Sequence, residues 1–234
     1  MLKAGPVLST AIFAGNVEGV KLLIEKGAEL HNGSDDLPQS LSLAAMSTGE
    51  LFDAVMDAGQ GKWTDADLGD ALYYAAGSGN AVTISTLLQT QSDVPAEVED
   101  EVMRDEETPA SQPQISLVDY QRSLDTAAEE EEWTVVMMLL DHCTGVRLDY
   151  SHAFRQTIRP VLFEERFHQT GVLDKLWRLG QESFTPELIN TCLYCAADYQ
   201  RPLAVKFLLE TCGADPESQG AEYVDSSCAE YVRS

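Results

Sequence analysis

The chain has 234 residues, with 39 acidic side chains against 15 basic ones and a formal net charge of −24. Its hydrophobic share of 44% and charged share of 23% are those of an ordinary folded domain. The charge disfavours a nucleic-acid binder and an anionic bilayer alike, since phosphates and lipid headgroups repel such a surface and the few lysines and arginines are scattered.

Five cysteines (Cys143, Cys192, Cys195, Cys212 and Cys228) form an odd, sparse set. That argues against a disulfide framework and for a reducing compartment, so the expected location is intracellular, cytoplasmic or nuclear. The longest wholly apolar run, Val135 to Leu140, is far too short to cross a membrane. Lys3 ahead of an apolar stretch to Ala14 has the outline of a signal peptide, but a first helix accounts for the same residues.

In chain order, the first pattern runs from Leu8 to Gly27: a leucine-led helix, a tight turn, and a second helix carrying Val17, Val20, Leu23 and Ile24 on one stripe. A degraded copy opens at Leu41 and closes at Gly59, one residue short. The clearest copy is Leu72-Tyr73-Tyr74-Ala75-Ala76-Gly77-Ser78-Gly79-Asn80, followed by Val82, Ile84, Leu87 and Leu88. Gly27 and Gly59 are expected to close second helices in the left-handed conformation. Self-similarity at this spacing marks stacked helix pairs that bury a core only against their neighbours.

From Ser92 to Ile115 the pattern stops. Eight acidic residues, one arginine and three prolines leave no helical or strand period, and the stretch reads as a disordered acidic insertion. The pattern returns at Leu124-Asp125-Thr126-Ala127-Ala128 with Trp133, Val135, Val136, Leu139 and Leu140, where Cys143 stands at the closing-glycine position. A last copy runs from Leu193-Tyr194-Cys195-Ala196-Ala197 to Cys212-Gly213-Ala214-Asp215-Pro216. Between them there is room for one hidden copy, with Val172, Leu173, Leu176, Trp177 and Gly180 in its second helix and Glu164 at the small-residue position of its first. The expected layout is three repeats in 1–91, the insertion in 92–115, three repeats in 116–216 and a tail or truncated repeat in 217–234.

Motifs for chemistry are weak. Cys192 and Cys195 form a Cys-x-x-Cys pair, with Cys212 and His168 as further zinc ligands to consider, but both cysteines fall in a predicted helix and Cys195 at a core-facing position, where cysteine packs as a small hydrophobe. Gly61-Lys62 ends like a phosphate-binding loop, yet Met56 and Trp63 stand where its first glycine and its hydroxyl belong. No nucleophile elbow, zinc-protease or dinucleotide fingerprint occurs. The expectation is therefore no enzyme, no metal and no cofactor.

The units resemble ankyrin repeats. The match rests on Val17-Glu18-Gly19-Val20-Lys21-Leu22-Leu23-Ile24-Glu25-Lys26-Gly27-Ala28, on the turn Ala75-Ala76-Gly77-Ser78-Gly79-Asn80, and on Val205-Lys206-Phe207-Leu208-Leu209-Glu210 with Gly213-Ala214-Asp215-Pro216. No unit keeps the family's Thr-Pro-Leu-His, and this divergence is similar to that of fungal members. The resemblance implies an all-α solenoid of about six helix-turn-helix units that binds a protein or peptide through its concave face and loops. By register that face includes Ala71, Ser78, Tyr120, Gln121, Ser123, Glu130 and Glu131, and a basic partner suits the carboxylates. Two other readings are a regulatory or recruitment segment of a larger enzyme or adaptor, and an acidic chaperone of basic proteins. Without residues 92–115 the chain still carries 31 acidic and 14 basic residues, so its acidity is global rather than confined to one arm.

Overall fold

The computed structural model describes residues 5–30, 39–59, 62–91, 114–143, 147–159 and 168–217. Residues 92–113 of the expected insertion, Glu164, and the tail from 218 lie outside them. Among the described residues the regular structure is entirely helical, twelve helices in six consecutive pairs: α1 (Gly5–Phe13) with α2 (Val17–Glu25), α3 (Ser40–Ala45) with α4 (Gly49–Ala58), α5 (Asp65–Gly77) with α6 (Ala81–Thr90), α7 (Leu117–Glu129) with α8 (Trp133–His142), α9 (Ser151–Gln156) with α10 (His168–Gly180), and α11 (Pro186–Asp198) with α12 (Pro202–Glu210). The chain divides into two compact bodies, Met1–Arg147 and Leu148–Ser234.

In the first body the opening helices of successive pairs pack on one another in the order α1, α3, α5, α7, while the second helices form the layer behind them. The Ala-Ala signature lies in that seam: Ala44, Ala45, Ala75, Ala76, Ala127 and Ala128 are buried, because only small side chains let neighbouring helix backbones approach this closely. Behind them Leu51, Phe52, Val55, Ile84, Leu87, Val135, Val136, Leu139 and Leu140 close the core. In the third pair the apolar stripe differs from the sequence expectation. Val82 is 63% exposed and Thr83 is fully buried, since the inward face of α6 follows the spacing Ile84, Leu87 rather than every apolar residue.

The opening helices are longer than the sequence pattern indicates. α5 starts seven residues before Leu72, capped by Thr64, whose side chain accepts from the Asp67 amide while the Asp67 carboxylate accepts from the Thr64 amide. Ser116 caps α7 by accepting from the Asp119 amide while its hydroxyl donates to the Asp119 carboxylate, and Thr185 caps α11 by accepting from the Leu188 amide. Before each cap stands a buried apolar residue, Trp63, Ile115 or Phe184, and the fourth helical residue, Leu68, Tyr120 or Ile189, is also buried. These caps replace what Thr-Pro-Leu-His provides elsewhere. A proline beside the leading leucine, where Ala71, Ser123 and Cys192 stand, would interrupt a continuous helix.

Ile115 corrects the end of the expected insertion. It is fully buried, and its amide donates to Oε1 of Gln91 at 3.1 Å, so residues 114–115 already belong to the fourth pair.

Gly59 also departs from expectation. Its φ is −97°, not left-handed, and its smallness serves packing: a Cβ there would overlap the Trp63 indole, whose Nε1 donates to the Met56 carbonyl at 2.9 Å. Gly180 is covered by Phe184 in the same manner. Gly27, at φ +82°, does take the left-handed form.

In the second body the hidden pair is α9 and α10. Val172, Leu173 and Leu176 are buried on α10 as the pattern implies, but the first helix is the short α9 with Ala153 and Phe154 inside, upstream of Glu164. Phe154, Trp177 and Phe184 form an aromatic core with ring centroids 4.7 to 6.4 Å apart.

Candidate functional site

The longer helices move several of the expected contact residues inside. Ala71 and Ser123 are fully buried and Tyr120 is 1% exposed, because α5 is packed along both α3 and α7 and these residues lie on the packed flanks, Ala71 and Ser123 mid-helix and Tyr120 in the first turn of α7. They cannot touch a partner, which corrects that part of the expected face. Gln121 is half-buried and spends its amide on the Asp125 carboxylate at 3.1 and 3.0 Å. Ser78, Glu130 and Glu131 are exposed on the turns between helices.

What the first body does present is a polar-aromatic cluster one helix face away. Nη2 of Arg122 on α7 lies 2.6 Å from Oδ1 of Asp70 on α5, its Nη1 lies 4.0 Å from Asp119, and its guanidinium sits 4.3 Å above the Tyr73 ring. Tyr73 meets Tyr74 edge-on at 5.2 Å. An arginine held by a carboxylate and a ring is a rigid platform, with its charge largely matched locally. Asp70, Tyr73 and Arg122 were missed in the sequence because the helix start was placed too late; the Thr-x-x-Asp and Ser-x-x-Asp caps were the signal that could have corrected it.

A second feature runs along the ends of the opening helices. Phe13, Met46, Gly77 and Glu129 hold equivalent positions in successive pairs, each next to the turn. Phe13 is 87% exposed and Met46 40% exposed, and Glu129, Glu130 and Glu131 are exposed beyond them. The turn edge thus passes from apolar at α1 and α3 to acidic at α7.

The turns themselves are built alike. Gly15, Gly79, Glu131 and Gln200 all have φ between +55° and +68°, and the next residue is the N-cap of the second helix. Asn16 and Asn80 cap that helix, accepting from the Gly19 and Thr83 amides. Asn80 also donates to the Ala45 and Ser47 carbonyls of the preceding pair at 2.9 and 2.6 Å. Arg201, at the same position in the last pair, reaches back to the Arg159 carbonyl.

Behind the cluster, the Tyr120 hydroxyl lies 3.2 Å from Nε2 of His142, with the rings stacked at 5.7 Å. Burial raises the Tyr120 phenol well above its ordinary value, so it keeps its proton. Burial lowers His142 below its ordinary value, which favours the neutral ring. Burial also pushes the Cys143 and Cys212 thiols up to about 12, leaving neither a ready nucleophile.

The second body holds a cleft of about 540 Å³ between α9 and α11, lined by His152, Arg155, Gln156, Glu187, Cys195 and Tyr199 among others. Cys195 faces this cleft half-buried and Cys192 is the packed one, the reverse of the expected orientation.

Comparison with known proteins fits this architecture. Residues 188–218 match the family model described as Ankyrin repeat. Among solved structures, the chain is similar to the human ASB11 ankyrin repeat domain, with 17% identity, 97% of each chain covered and a TM-score of 0.56. None of the curated proteins matches. No helix of the described residues is long and apolar enough to cross a membrane. Ankyrin repeats are generally protein-interaction modules. Residues 188–218 thus carry an ankyrin repeat, and the fold of the chain is that of an ankyrin repeat domain.

Proposed function

We propose that this protein is a non-enzymatic interaction module that binds a basic protein segment carrying an apolar anchor, through the turn edge and opening-helix face of its first body. The observation that carries the reading is the row of equivalent positions in which exposed Phe13 and Met46 give way to Glu129, Glu130 and Glu131. Large apolar groups left in water beside a patch of one charge favour a partner that is itself amphipathic. Ser78 lies on the same edge, and Arg122 on Tyr73 supplies a rigid platform beside it. Ala71, Tyr120 and Ser123 support the face from inside.

The test is fluorescence anisotropy with a labelled amphipathic Lys/Arg-rich peptide and its Glu-rich counterpart. Selective binding of the basic peptide, weakened by added salt and by Phe13→Ala, Met46→Ala or joint Glu129→Gln, Glu130→Gln and Glu131→Gln, is the expected result. Equal affinity for both peptides, or indifference to all these substitutions, would reject it.

A further inference from the structure

The cleft between α9 and α11 concentrates positive charge in a chain whose net charge is −24. Residues 151–159, which supply its first wall, hold two arginines and no carboxylate. Both Arg155 and Arg159 line the cleft, and the opposite wall carries one carboxylate, Glu187. His152 aside, the remaining lining is uncharged. Arg159 is held in place: its Nη1 donates to Oε1 of Gln156 at 2.9 Å, and its carbonyl accepts from Arg201. The Gln156 amide nitrogen in turn lies 3.1 Å from Nε2 of His152, so three side chains are fixed along one wall. Arg155 differs. It is exposed and has no ion-pair partner among the described residues. A guanidinium in that state presents a planar fork of donors that matches the two oxygens of a carboxylate.

We infer that this cleft binds a peptide segment presenting one acidic side chain next to an apolar one. It is a second recognition site, independent of the turn edge of the first body and opposite to it in charge preference. Three features select this occupant. Two arginines against one glutamate leave the lining, His152 aside, with one positive charge in excess, which a single carboxylate neutralises. A phosphoryl group or a Glu-rich segment would bring further negative charge against Glu187 and against the field of the whole chain. Beside the arginines, Leu188, Cys195 and Tyr199 are each half-buried, so an apolar neighbour of the acidic side chain finds surface to cover. The volume of about 540 Å³ falls within the roughly 300–1,000 Å³ of pre-formed ligand sites, which suits a few side chains and not a folded domain.

Isothermal titration calorimetry on the intact chain tests this, with a short peptide, blocked at both termini, that carries one glutamate between two leucines. Saturable binding is expected, and replacing the peptide's glutamate by glutamine should weaken it at least about tenfold. Arg155→Gln, on an exposed side chain, should weaken it by about tenfold as well. Glu187→Gln should tighten it, a gain that damage to the fold does not produce. Phe13→Ala in the first body should leave it unchanged, so the two sites stand or fall separately. Absence of saturable binding, equal affinity for the glutamate and glutamine peptides, or indifference to either Arg155→Gln or Glu187→Gln would overturn the assignment. So would tighter binding of a phosphoserine peptide than of the glutamate peptide, which would identify a phosphate site instead.

Discussion

At the scale of single residues, the turn between helices demands a left-handed backbone, and two of the four positions that adopt it lack glycine. For an ordinary side chain that conformation costs roughly 1–2 kcal/mol, part of which glycine's extra freedom in the unfolded chain takes back. Glu131→Gly and Gln200→Gly are therefore expected to stabilise the fold by about 0.5–1 kcal/mol each, visible as a higher denaturation midpoint; a fall would show that these side chains make compensating contacts. His142 supplies a pH-dependent term. Its folded-state pKa lies below the ordinary 6.5, so the unfolded chain binds the proton more readily and protonation favours unfolding. The stability it contributes is complete above pH 6.5 and is lost as pH falls through the folded value. His142→Gln keeps a polar partner for Tyr120 without the titration and should flatten urea-measured stability over that window relative to the parent chain.

At the scale of helices, the departures from a regular repeat have identifiable causes. The second pair is one residue short because its turn lacks the left-handed residue: Met46 caps α3 and Thr48 caps α4, with Thr48 Oγ1 accepting from the Leu51 amide at 3.4 Å. The third, fourth and sixth pairs extend their opening helices backward to a Ser or Thr cap. A proline at position 71 would remove an interior hydrogen bond and clash with the preceding turn, so Ala71→Pro should cost about 3 kcal/mol or more and reduce helical circular dichroism. Loss of less than about 1 kcal/mol would mean that α5 can begin at the leucine as the family pattern has it. This boundary was legible in principle from Trp63-Thr64-Asp65-Ala66-Asp67-Leu68 and Ile115-Ser116-Leu117-Val118-Asp119-Tyr120, which recur 52 residues apart just as Leu72 and Leu124 do. The leucine and alanine signature hid it, because that signature marks the packed middle of the helix rather than its start. Short α9 was harder to find: its Ala153-Phe154 core has no Ala-Ala pair to betray it.

At the scale of the whole molecule, a charge of −24 spread over nearly all segments opposes compaction by self-repulsion. The described ion pairs, such as Lys21 with Glu50 at 3.2 Å, are exposed and contribute little. Raising ionic strength from about 0.01 to 0.15 M should therefore raise the Tm, since the screening length drops from roughly 30 to 8 Å. A Tm that falls with salt would show that specific ion pairs outweigh the global repulsion.

The sequence by itself determined that the chain is built of helix pairs, about six of them, with a small-residue seam, since periodicity is a local property that most pairs repeat. It also determined the acidity that any partner must meet. Only the tertiary structure decided which side of each opening helix is covered. That depends on where the helix starts, and on two neighbours distant in sequence that bury Ala71, Tyr120 and Ser123 while leaving Phe13, Met46 and Arg122 in solvent. Burial in a stack is a property of the neighbour as much as of the residue, which is why Ala76 is inside and its equivalent Ala197 is exposed.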